Sequence, residues 1–139
     1  MPKFETYLFF KENCAEAMQY YKQTLGGKLD LMKAKDAPDT RNMPPGGGDK
    51  ILHARLDSDG GVIMASDWMD SKPYPGMGGF GIAVNYPKVD DAKRVFDTFS
   101  KGGKVNMPLG KTFWVESFGM VTDRYGALWM ISGGKSSPR

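Results

Sequence analysis

Residues 4–10 (FETYLFF) alternate with period two, so that Phe4, Thr6, Leu8 and Phe10 share one face of a predicted strand while Glu5, Tyr7 and Phe9 share the other. At Cys14 the rhythm changes to that of a helix. Ala17, Met18, Tyr21 and Leu25 form a buried stripe, Asn13 and Glu16 have the spacing of a capping box, and Gly26-Gly27 supplies a stop. A strand begins at Lys28. Ile51 to Leu56 and Gly61 to Ser66 read as two strands joined by Asp57-Ser58-Asp59-Gly60, a hairpin signal. The first half therefore predicts a β-α-β-β-β unit.

The plan then restarts. Phe80 to Asn85 is a strand candidate, and Asp90 to Ser100 a helix with Ala92, Val95, Phe96 and Phe99 on one face. Strands follow at Lys104 to Met107, Lys111 to Val115 and Met120 to Thr122, and after a turn at Asp123 to Gly126 the last runs from Ala127 to Ser132. Leu25-Gly26-Gly27-Lys28-Leu29 and Lys101-Gly102-Gly103-Lys104-Val105 mark corresponding points 76 residues apart. An internal duplication of this kind sets the architecture. We expect modules at 1–67 and 80–133, an inter-module loop at 68–79, a polar tail at 134–139, and an α+β class with two sheets.

Residues 36–49 (DAPDTRNMPPGGGD) have the highest breaker content and read as a loop between strands, either a plain connection or a lid. The glycines are not a phosphate loop, because no Lys-Ser/Thr and no helix follow them.

Composition narrows the function classes. In 139 residues the 19 basic and 16 acidic side chains are scattered, a net charge of +3 without a basic face, which argues against nucleic-acid binding. No apolar run approaches the ~20 residues that span a bilayer, and the first residues lack a secretory apolar core. A single cysteine, Cys14, allows no internal disulfide, so the expectation is a cytoplasmic protein without membrane contact. Cys14 itself reads as a small buried hydrophobe rather than a nucleophile.

Several stretches together resemble a known family: Glu16-Ala17-Met18-Gln19-Tyr20-Tyr21 into Leu25-Gly26-Gly27, His53-Ala54, Met64-Ala65-Ser66-Asp67, and Thr112-Phe113-Trp114 through Phe118-Gly119 to Asp123, Gly126 and Trp129-Met130-Ile131. The chain resembles the PhnB-like branch of the vicinal oxygen chelate superfamily, which also holds glyoxalase I, extradiol dioxygenases and bleomycin-resistance proteins. The resemblance implies paired βαβββ modules whose curved mixed sheets form a cup for a small ligand or a divalent metal, commonly in a homodimer. Its metal-dependent members carry four ligands, at places that fall here on Glu5, His53, Gly81 and Met130. Gly81 has no side chain, and a thioether suits neither the ions that Glu nor those that His would hold. No metal or other cofactor is therefore expected, with Glu5 and His53 the only donors should a divalent ion bind.

The candidate site residues follow from strand parity and size. Glu5 and His53 are the candidate catalytic pair, a carboxylate orienting an imidazole, or else Glu5 simply pairs with Arg55 or Lys3. Ile51, His53 and Arg55 alternate onto one face, where Arg55 forks a ligand carboxylate or phosphate, or forms a surface salt bridge. Tyr7, Thr112, Trp114 and Trp68 complete the ligand candidates, with Trp68 covering the cup mouth or meeting a dimer partner, and Trp129 is assigned to the core. Three readings stand. The first is a metal-free small-molecule-binding protein. The second is a metal-assisted lyase, isomerase or dioxygenase using Glu5 and His53, and the third a structural dimer without a small ligand.

Overall fold

The computed structural model describes residues 1–38 and 47–136. The chain divides into two compact units, Met1–Gly76 and Met77–Arg139. In the first, β1 (Thr6–Phe10), α1 (Cys14–Leu25), β2 (Lys28–Lys33), β3 (Ile51–Ser58) and β4 (Gly61–Asp67) give a four-stranded sheet in the order β1-β4-β3-β2. The second repeats it with β5 (Ile82–Tyr86), α2 (Val89–Ser100), β6 (Lys104–Gly110), β7 (Val115–Thr122) and β8 (Leu128–Ser136) in the order β5-β8-β7-β6. In each sheet the first strand lies parallel to the last and the other pairs are antiparallel. This is the α+β arrangement of paired βαβββ modules.

Each helix covers one face of its own sheet. Ala17, Met18 and Tyr21 of α1 are fully buried together with Leu8, Phe10, Ala54, Leu56 and Ala65. Ala92, Val95 and Phe99 of α2 are buried with Val121, Trp129 and Ile131, and the Phe99 and Trp129 rings stack at 4.7 Å. Burying a side chain of this size contributes roughly 1.5–3 kcal/mol. α2 lies close to its sheet because Gly133 leaves room: a Cβ there would come within 2.6 Å of the Ala92 Cβ.

The recurring Gly-Gly-Lys signal has a common cause in both units. A Cβ on Gly27 would fall 2.5 Å from the Asp57 carbonyl oxygen on β3, and one on Gly103 would overlap the Thr122 carbonyl oxygen on β7. The following lysines pair with those same residues, Lys28 with Asp57 and Lys104 with Thr122. The chain leaving each helix thus passes against the backbone of the neighbouring hairpin, where no side chain fits.

Several local expectations are corrected. Asn13 makes no capping side-chain bond; the cap comes from Asp67 at the end of β4, whose Oδ1 accepts the Cys14 N–H at 2.9 Å. Residues 111–114 are a tight connection rather than strand, and β6 extends instead to Gly110. β8 runs on to Ser136, so 134–136 are strand and not tail. Of the expected loop at 36–49, residues 39–46 lie outside the described residues. Its ends continue the β2–β3 pairing, with Ala34 N–H to the Lys50 carbonyl at 2.8 Å and Lys35 N–H to that of Gly48 at 3.0 Å. No helix among the described residues is long and apolar enough to cross a membrane.

Candidate functional site

The face of each sheet away from its helix carries the chemistry, and the two faces differ. In the first unit the cross-strand row Asp30–Arg55–Met64–Tyr7 runs over all four strands. The alternation Ile51, His53, Arg55 does not hold: Met32 pairs with His53 and Lys33 with Ile51, which leaves Leu52 as the extra residue of a β-bulge. Ile51 is therefore buried, while Leu52 and His53 are both exposed and Arg55 half-buried. The bulge is fixed by Asp67, whose Oδ2 accepts the Ile51 N–H at 2.7 Å. One buried carboxylate thus holds the starts of α1 and β3 together.

Arg55 is shared between two carboxylates, with Nη1 3.5 Å from Glu5 Oε2 and Nε 3.5 Å from Asp57 Oδ2. Glu5 accordingly serves the guanidinium rather than the imidazole. His53 meets the Tyr7 ring instead, at 6.2 Å between centroids. From Tyr7 an aromatic row continues through Phe9 (5.0 Å) and Trp68 (5.6 Å) to Tyr74 (5.8 Å). Trp68 is held from both sides, its N–H bonding the Phe10 carbonyl at 2.7 Å and its indole N–H that of Lys72 at 2.8 Å. The Tyr74 hydroxyl donates to the Phe9 carbonyl at 2.6 Å. The ring of Trp68 therefore packs within its own unit.

The second unit presents a pocket with uncharged walls. Phe113, Trp114, Phe118 and Met130 line a pocket of about 360 Å³. Trp114 stands edge-on to Phe113 at 4.9 Å and to Phe118 at 5.4 Å. Thr112 builds the turn that presents these rings: its Oγ1 accepts the Val115 N–H at 3.1 Å, and its own N–H donates to the Val115 carbonyl at 3.1 Å. The resulting turn leaves Phe113 88% exposed. Phe118 is the cross-strand partner of Ser132, and Ser132 pairs with Asn85 on β5, to whose side-chain oxygen its hydroxyl donates. Glu116, the carboxylate nearest in sequence, accepts the Lys135 N–H at 2.7 Å.

Sequence reasoning named Trp114 and Thr112, and Met130 as a place where the family puts a metal ligand, but missed Phe113, Phe118, Ser132 and Asn85 as neighbours. The available signal was the alternation Glu116, Phe118, Met120, which continues the open face of β7 beyond Trp114. Trp129 lies in the core as expected: fully buried, its indole N–H donates to Asp123 Oδ2 at 2.8 Å. Cys14 is also fully buried; desolvation first, and the nearby Asp67 carboxylate second, push its thiol far above the ordinary value.

A divalent metal does not fit the donors present. Of the four family places, Glu5 is engaged by Arg55, His53 is a single imidazole, and Gly81 and Met130 offer no hard donor. Among the described residues no three His, Cys, Asp or Glu side chains gather.

The family model of the glyoxalase/bleomycin resistance protein/dioxygenase superfamily matches residues 3–131. Protein YjdN of Escherichia coli (strain K12) is 37% identical over 142 residues, which cover 95% of this chain and 95% of YjdN. The crystal structure of protein PA1353 from Pseudomonas aeruginosa is similar with a TM-score of 0.88 at 42% identity, covering 98% of this chain and 100% of that one. The PhnB protein from Bacillus cereus, a putative 3-demethylubiquinone-9 3-methyltransferase, shares the fold with a TM-score of 0.75 at 22% identity, over 96% of this chain and 100% of that one.

Proposed function

Since the chain belongs to the glyoxalase/bleomycin resistance protein/dioxygenase superfamily, we propose that it is a small-molecule-binding protein of the PhnB-like type that takes an organic ligand without a resident metal. The observation that carries this reading is the pocket of about 360 Å³ walled by Phe113, Trp114, Phe118 and Met130. Its volume lies at the low end of the range usual for small-molecule sites, and its apolar walls with a few neutral polar neighbours suit such a site. The half-buried rings of Trp114 and Phe118, beside a closed turn, lose little freedom when a ligand covers them. The first unit retains Tyr7, His53 and Trp68 as ligand-contact candidates on its own open face. Its Arg55 is less available, because Glu5 and Asp57 already satisfy it. The metal-assisted alternative needs Glu5 as a donor, and the same ion pair counts against it.

A thermal-shift screen of organic molecules tests the reading. A ligand at about 100 times its Kd stabilises the folded state by about 2.7 kcal/mol, and the shift is expected to vanish in Trp114→Ala. No stabilising compound in a broad library, or an undiminished shift in that variant, contradicts it. The reading includes the homodimer that the family implies, which a monomer mass by light scattering would overturn.

A further inference from the structure

The chemistry of the second unit's pocket narrows what it takes. Resting on the reading that this pocket binds a ligand, we propose that its ligand is an uncharged, planar aromatic molecule of one or two rings bearing a hydroxyl or carbonyl oxygen. Three observations meet here. The walls are rings: Trp114 is flanked edge-on by Phe113 and Phe118, so ring faces and edges are both on offer, and aromatic pairs in offset or edge-to-face geometry add to plain burial.

The wall residues supplied by this unit include no ionisable side chain, and Glu116 is turned onto the Lys135 N–H. An ion seated against these rings finds no opposite charge among them to repay the hydration it gives up, whereas an uncharged group gives up less. On the strand next to Phe118, its cross-strand partner Ser132 donates its hydroxyl to the side-chain oxygen of Asn85. That leaves the amide nitrogen of Asn85 to donate and the Ser132 oxygen to accept. A ligand carbonyl would meet the first, and a ligand hydroxyl either.

The volume of about 360 Å³ is enough for one or two fused rings. A cation drawn to the ring faces is the rival chemistry, since Trp is the best such acceptor. No carboxylate among the wall residues is present to pair with it.

The test is calorimetric titration of the full chain at pH 7 with three probes of one shape: 2-naphthol, 2-naphthoate and 2-naphthylmethylammonium. The expected result is that 2-naphthol binds at least ten-fold tighter than either ion. Trp114→Leu should weaken it ten-fold or more, and Asn85→Ala about five-fold, with circular dichroism confirming that both variants fold. Equal or tighter binding of an ion overturns the assignment of charge while leaving the pocket's ligand role intact. Failure of all three probes overturns the aromatic assignment, and it reaches the ligand-binding reading only if the broad library also fails. Unchanged 2-naphthol affinity in Trp114→Leu overturns the location, and unchanged affinity in Asn85→Ala overturns the role of the amide.

Discussion

The two modules share strand order, helix placement and even the glycine that follows each helix, yet their open faces carry different chemistry. On the first, Arg55, Glu5 and Asp57 satisfy one another beside a row of rings that pack among themselves. On the second, rings and a thioether leave about 360 Å³ unfilled, with an Asn–Ser pair alongside. Duplication constrains the helix-facing side, where Gly27 and Gly103 and the buried stripes must match. The other face is free to diverge, and it is there that the two halves differ in the side chains they present.

The sharpest way to break this comparison sets two tryptophans of the second unit against each other. Trp129→Ala empties a fully buried position and removes one of the donors to Asp123, and should cost about 4 kcal/mol in urea unfolding. Trp114→Ala should cost under about 1 kcal/mol, because its ring fills no core. Similar losses would mean that the pocket wall is core in disguise.

Next come the two buried aspartates. Asp123 accepts from the Tyr125 and Ala127 N–H groups as well as from Trp129, whereas Asp67 accepts from Cys14 and Ile51. Alanine at 123 should cost about 3 kcal/mol and at 67 about 2 kcal/mol, each through stranded buried donors. Asp67→Ala should also release the β-bulge at Leu52, visible as shifted amide signals for His53.

The ion cluster is predicted to matter less. Glu5→Gln should change stability by under about 1 kcal/mol, with the difference shrinking in high salt, as partly exposed pairs do. The smallest effect under native conditions concerns Cys14, whose buried thiol should resist alkylation until the protein unfolds. Its folded value is raised above the ordinary 9.0, so the folded state holds this proton more tightly. Its contribution is complete below pH 9.0 and falls as pH rises above it, which an alkaline unfolding series of wild type against Cys14→Ala would detect.

Much of this was legible in the sequence, for reasons of period and size. The stripes of α1 and α2, the duplicated β-α-β-β-β plan and the burial of Trp129 follow from spacing that packing leaves unchanged. What escaped depended on contacts distant in sequence. The capping of α1 by Asp67 lies 53 residues from Cys14, so the local Asn13 signal pointed to the wrong residue. The bulge at Leu52 broke a parity that looked regular, moving Ile51 away from His53 and Arg55. At residues 111–114 strand-like letters concealed a turn closed by Thr112, and that turn is what exposes the pocket. The ion pair of Glu5 with Arg55 stood as one of two options, and only geometry chose it over the pairing with His53.

The most direct test is the affinity of the tightest ligand from the screen, measured by titration calorimetry for wild type, Trp114→Leu and His53→Ala. A site centred on the second unit's rings predicts a loss of at least ten-fold in Trp114→Leu, about 1.4 kcal/mol, and under about three-fold in His53→Ala. The reverse order would place recognition on the polar face of the first unit and contradict the account.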